Sequence, residues 1–201
     1  MLCALALNTY AGFLGVSETL RMAGRNYGLK GIRFVLFILI PAALPSILAG
    51  LKIGWAFAWR TLIAAECIGD GYWFLDRVTN YVRDRQVFGR PIGQNQGVQF
   101  PIADAFIEVE AANLMRWKAC AMIDAHQNAG AEANMAKYLA AKASWEAANA
   151  CLQFHGGFGF ACEYDVERKF RETRLYQVAP ISTNLIYSYV AEHILGLPRS
   201  F

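Results

Sequence analysis

The chain is predicted to be all-α, an up-and-down helical bundle preceded by an apolar helical segment. Three observations carry that expectation. Beyond Cys67, apolar residues recur at three- and four-residue spacing, and no segment alternates as a half-buried strand would. The turn-prone Gly89-Arg90-Pro91-Ile92-Gly93, the break at Asn128-Ala129-Gly130 and the stop at Gly156-Gly157-Phe158-Gly159 punctuate the periodic segments. Charge is partitioned, with Lys52 the lone charged side chain between Phe34 and Trp59 and ordinary charge density beyond Asp70.

A length of 201 residues suffices for one large domain or two small ones, each with a real core. The 56% hydrophobic and 17% charged content leans toward membrane proteins. A net charge of +3 without any Lys/Arg run argues against a nucleic-acid partner. Five scattered cysteines, with no CxxC and no histidine at metal-ligand spacing, suggest buried or incidental thiols, without a disulfide framework or a metal. The opening Met1-Leu2-Cys3-Ala4-Leu5 lacks a basic region, so a cleaved secretory signal is not expected.

Residues 2–16 are apolar apart from Asn8 and Thr9, too short to span a bilayer comfortably and similar to the tail of a spanning helix. Ser17 suits the cap of a short helix that Gly28 would end in a left-handed conformation. Arg21, Arg25, Lys30 and Arg33 outnumber Glu18, which by the positive-inside rule places this loop in the cytoplasm. From Phe34 an apolar run follows that is long enough for one span. Pro41 and Pro45 each remove a backbone donor, so a break is expected there, with regular helix from about Ser46. A buried helix of a soluble protein fits less well, because almost no polar stripe interrupts the run.

Within this segment, Glu18-Thr19-Leu20-Arg21-Met22-Ala23, Gly28, Ile40-Pro41-Ala42-Ala43-Leu44-Pro45 and Gly50-Leu51 resemble the cytoplasmic coupling loop of type-1 ABC transporter permeases. The similarity is nearest to the branch importing sulfonates, taurine and nitrate, and it continues through Gly54-Trp55-Ala56-Phe57-Ala58-Trp59-Arg60-Thr61-Leu62-Ile63-Ala64-Ala65-Glu66. It implies membrane association, an ABC ATPase contact through the short helix, and a part in importing a small organic anion. It covers residues 1–66, the middle of such a permease.

Farther on, residues 73–83 can be helical. A long helix is expected from about Asn95 to His126, with Ile102, Phe106, Val109 and Ala112 as its buried stripe. A second runs from about Ala131 to Phe154, with Met135, Leu139, Ala143, Ala147 and Cys151 stepping by four; its alanine content favours helix and close packing. Two shorter helices, 166–175 and 182–195, complete the bundle, and Gly196-Leu197-Pro198 closes the last.

Two motifs here resemble the C-terminal domain of acyl-CoA dehydrogenases. One is Asp84-Arg85-Gln86-Val87-Phe88-Gly89-Arg90-Pro91-Ile92-Gly93 with Gln96 and Gln99-Phe100-Pro101-Ile102-Ala103-Asp104. The other is Gln153-Phe154-His155-Gly156-Gly157-Phe158-Gly159-Phe160, followed by Glu163-Tyr164 and Arg171-Glu172-Thr173-Arg174-Leu175-Tyr176-Gln177. The resemblance covers residues 62–201 and implies a CH–CH oxidoreductase domain acting on acyl-CoA, with FAD as cofactor and homo-oligomers built through the bundle. It also implies that Arg85 and Phe88 reach the FAD of a neighbouring subunit, where an arginine fork suits a pyrophosphate and a ring suits adenosine. Gln153 and Gly157 match positions contacting the same cofactor, and Ser182 stands at the family's threonine position.

The family's reaction pairs α-proton abstraction by a carboxylate with β-hydride transfer to the flavin. Pro180 occupies the position of that carboxylate in most members. A second branch keeps its base on the first bundle helix, at the slot of Trp59, just before Arg60. Both addresses lack a carboxylate, so no catalytic residue is assigned. Glu66 lies about 10 Å along the helix from residue 59, too far to substitute, and His155 better suits a packing role. The two resemblances meet at Leu62-Ile63-Ala64-Ala65-Glu66, which fits both. The expected organisation is therefore a permease-like segment at 1–61 joined to a dehydrogenase-like bundle at 62–201, which is expected to be inactive alone because neither base address is filled. Localisation follows the first part: membrane-associated if it inserts, cytoplasmic otherwise. A cytoplasmic basic loop followed by one span would place the bundle on the side away from cytoplasmic acyl-CoA.

Overall fold

The computed structural model describes residues 9–200. The chain divides into two compact units, Met1–Trp59 and Arg60–Phe201. The apolar start expected at 2–16 lies partly outside the described residues, as does Cys3.

In the first unit, helix α1 (Glu18–Asn26) begins as expected at Ser17, whose Oγ accepts from the Leu20 amide at 3.4 Å. Gly28 follows with φ +73°, the left-handed stop that glycine supplies at no steric cost. Gly24 lets α1 approach the next segment, since a Cβ there would sit 2.7 Å from Ile38 Cγ1 and 2.9 Å from Phe34 Cε2. A short helical turn, Gly31–Phe34, passes into a π-helical turn, Val35–Leu39, and then into α2 (Ile40–Asp84), which is 45 residues long.

The break expected at Pro41 and Pro45 is not there: Pro45 lies inside α2. The π turn offers the physical reason. The Ile40 amide bonds to Val35 O, five residues back, so the ladder changes register immediately before Pro41. The stretch Gly31–Lys52 is 22 residues long and apolar enough to cross a membrane. Leu36, Phe37, Leu44 and Leu48 are exposed along it.

The second unit is all-α as predicted. The last part of α2 packs with α3 (Gln96–Asp124), α4 (Gly130–His155) and α5 (Val166–Leu175) in one core, and α6 (Thr183–His193) completes the unit. One correction concerns strands. A short hairpin joins α2 to α3, with β1 (Gln86–Val87) antiparallel to β2 (Arg90–Pro91); two-residue strands are too brief to show alternation.

Helix α4 lies against α3, α5 and α6. Its fully covered alanines, among them Ala133, Ala136, Ala140, Ala147 and Ala148, allow close helix approach. Gly71 serves the same end on α2, because a Cβ there would come within 2.9 Å of Val109 Cγ2. Phe74, Val78, Val109, Cys151 and Val166 fill the core at 0% exposure.

The predicted stripe of α3 departs from the structure at one position. Val109 and Ala112 are buried, but Ala105 holds the inner position expected for Phe106, which is 49% exposed, and Ile102 is half-buried. On α4, Ala143, Ala147 and Cys151 are inside, whereas Ala136 and Ala140 displace the half-buried Met135 and Leu139.

Candidate functional site

The hairpin after α2 sets one wall of the site. Arg85 stands at its root, where Arg85 O accepts from the Ile92 amide at 2.9 Å. Its two loop residues, Phe88 (φ +55°) and Gly89 (φ +77°), both have the positive φ that a two-residue hairpin turn requires. Glycine takes that conformation freely, while a bulky side chain is strained there. The Phe88 ring nonetheless stands fully exposed at the tip.

The end of α4 sets the facing wall. Gly156 leaves the helix with φ +58° and ψ −134°, a combination open essentially to glycine. A Cβ placed on Gly157 would meet nothing within 4 Å, so packing within the chain does not itself demand glycine there.

Between the walls is a cavity of about 610 Å³ lined by Tyr81, Arg85, Gln153, His155, Gly157 and Phe158. The structure thus brings together Arg85, Gln153 and Gly157 from positions far apart in sequence. Phe88 is at the hairpin tip, beside the lining residue Val87. Ser182 is elsewhere: its Oγ caps α6, accepting from the Leu185 amide at 3.4 Å, and it does not line this cavity.

A second cavity of about 420 Å³, lined partly by Asp76, Arg77 and Asp84, shares the Arg85 and Phe158 wall. A third, about 620 Å³ and mostly apolar, opens between α2 and α3 beside Val82, Ile102 and Phe106. It includes neither Trp59 nor Pro180, the two positions where a base was sought.

His155 is buried at 3% exposure and stacks on Tyr81, with ring centroids 4.1 Å apart. Its Nδ1–H donates to Cys151 O at 2.8 Å, and burial pulls its pKa below the ordinary value. Those contacts give it the packing role expected.

Pro180 sits in the segment between α5 and α6. Lys137, 1% exposed, donates from Nζ to the carbonyls of Tyr176 at 2.5 Å and Ile181 at 2.6 Å, fixing both ends of that segment. Burial lowers the Lys137 pKa. Nearby, Asp70 accepts from Lys169 Nζ at 2.5 Å and from the Tyr176 hydroxyl at 3.1 Å. Burial, then the Asp70 charge, pushes the Tyr176 phenol up. Burial also pushes the Cys67 thiol up to about 12. Sequence reasoning missed this network, although a lysine amid the inner alanines of α4 was a visible signal.

At the other address, Trp59 stacks on Trp55 at 6.0 Å between ring centroids, and Glu66 is exposed. No group of three or more His, Cys, Asp or Glu side chains suited to a metal occurs among the described residues.

Residues 55–195 match the family described as acyl-CoA dehydrogenase, C-terminal domain. Residues 4–103 match binding-protein-dependent transport system inner membrane component. The two matches overlap over 55–103, around the segment expected to join them.

The chain is 41% identical over 162 residues to acyl-CoA dehydrogenase FadE12 of Mycobacterium tuberculosis, covering 80% of this chain and 40% of that protein. A solved structure of a glutaryl-coenzyme A dehydrogenase glutaryl-CoA complex superposes with a TM-score of 0.66 at 34% identity, covering 70% of this chain and 36% of that one. PigA with FAD and proline superposes with a TM-score of 0.69 at 26% identity, covering 74% and 39%. The chain spans about two fifths of the length of the curated relatives it matches.

Proposed function

Because the chain belongs to the acyl-CoA dehydrogenase family through its C-terminal domain, we propose that it supplies the face of a flavin site that meets a neighbouring subunit's FAD. On its own it is inactive. The observation that carries this reading is the cavity in which Arg85, Gln153 and Gly157 converge beneath the hairpin bearing Phe88.

The residues present fit the group. Arg85 forms no salt bridge among the described residues, leaving its N–H fork available to two phosphate oxygens. The open space over Gly157 suits close approach by a ligand. Phe88, with its backbone held at positive φ and its ring exposed, suits contact with a partner. Ser182, committed to capping α6, would contribute only if that segment met the neighbour.

In such enzymes the flavin takes up hydride from the acyl chain. What this chain's residues add is positioning: Arg85 and Gln153 orient, and Gly157 admits the ligand backbone-close. Proton abstraction needs a carboxylate, and Pro180 and Trp59 supply none at the two family positions. The acyl-CoA substrate and the homo-oligomer through the bundle belong to this same reading.

Hydrogen exchange on the full chain with saturating FAD tests it. Slowing confined to 85–93 and 153–158 is expected; uniform exchange with and without FAD would refute the reading.

A second reading is favoured by the match over 4–103 and by the apolar stretch Gly31–Lys52. In it residues 1–61 act as a membrane-inserted permease segment, with α1 as the ATPase contact, joined to the domain at 62–201. Fractionation separates the two. A chain that stays soluble without detergent excludes insertion.

A further inference from the structure

The geometry points to Phe158 as a positioning residue that aims the Arg85 guanidinium at a phosphate; this rests on the proposed function, in which Arg85 meets the phosphates of FAD. Arg85 Cζ lies over the Phe158 ring, 5.4 Å from its centroid, and both side chains line the same cavity. The π face of the ring attracts the positive charge of the guanidinium and is no hydrogen-bond acceptor of the kind its N–H fork meets in a phosphate, so the donors stay free for oxygen ligands. An exposed arginine at a hairpin root would otherwise sample many rotamers, and the ring narrows that choice before any ligand arrives.

Phe158 is itself held. Its ring meets Tyr164 at 5.5 Å, Tyr164 meets Tyr81 at 6.0 Å and His155 at 5.7 Å, and His155 is tied to Cys151 O. The backbone beside it is fixed by Gly159, where a Cβ would come within 2.9 Å of Leu152 Cδ1. Arg85 is thereby referenced to the bundle core through a chain of rings from three separate segments.

The test uses the full chain in detergent with 15N-labelled arginine, and inorganic pyrophosphate as the probe. In wild type the Arg85 Nε–H resonance is expected upfield, under the ring current, and to move on adding pyrophosphate. Phe158→Leu should return it to an unstacked position and weaken pyrophosphate binding about two- to fivefold. Phe158→Tyr should preserve both, and Phe158→Met replaces the leucine variant if that one misfolds. An unchanged Arg85 resonance or unchanged affinity in the non-aromatic variant overturns the inference. Arg85→Gln separates the underlying reading: if it binds pyrophosphate as well as wild type, Arg85 is not the phosphate ligand. A wild-type chain that gives no response at all overturns both.

Discussion

His155 is buried with its Nδ1–H bonded to Cys151 O, and burial favours the neutral ring. Its folded pKa lies below the ordinary 6.5, so the unfolded chain binds the extra proton more readily. The stability this group contributes is therefore present above about pH 6.5 and is lost as pH falls through the lower folded value. Thermal unfolding from pH 7 to 5 should show a steeper loss for wild type than for His155→Gln; parallel curves would contradict the assignment. Thiol reactivity gives a second prediction. Cys67 and Cys151 are both pushed up to about 12 by burial, whereas Cys162 is exposed. At pH 8 only roughly one buried thiol in ten thousand would be ionised. Iodoacetamide should label Cys162 in the native chain and reach Cys67 and Cys151 only after unfolding, as read by peptide mass spectrometry.

Lys137 ties α4 to the segment between α5 and α6 through two carbonyls. Lys137→Met leaves both without that donor and should cost about 1–3 kcal/mol, with faster hydrogen exchange confined at first to 176–182. An unchanged midpoint of chemical denaturation would remove the role. In the first unit, Leu44 is exposed near the middle of Gly31–Lys52. If this stretch inserts, Leu44→Arg should cost about 2.5–3.5 kcal/mol of insertion and move protein out of the carbonate-resistant membrane fraction. Equal partitioning of variant and wild type would contradict insertion. The end of α4 was legible because the Gly156-Gly157 stop and the helical spacing agree there, and α5 has the bounds 166–175 read from its sequence. The face of α3 was read correctly at Val109 and Ala112 and misjudged at Phe106, where alanine and phenylalanine compete for the inside and close helix approach lets the smaller residue win at Ala105. The hairpin was too short for periodicity, and Pro45 enters α2 because an upstream π turn shifts the hydrogen-bond register.

For the whole molecule, the unit Arg60–Phe201 is an alanine-packed bundle that carries the cavity lined by Arg85. Arg85, Gln153 and Gly157 were legible because each belongs to a motif, and folding brings them to one cavity. The supporting parts were not, since Lys137 acts on carbonyls 39 and 44 residues away and Phe158 on an arginine in another motif; such pairings exist only in three dimensions. The central claim is that this bundle retains the partner-facing flavin contacts while its two family positions for a base hold Pro180 and Trp59. Acyl-CoA-dependent reduction of an electron-acceptor dye by the purified chain with added FAD tests that claim most directly. No turnover above the protein-free rate is expected, whereas saturable acyl-CoA-dependent turnover would contradict it.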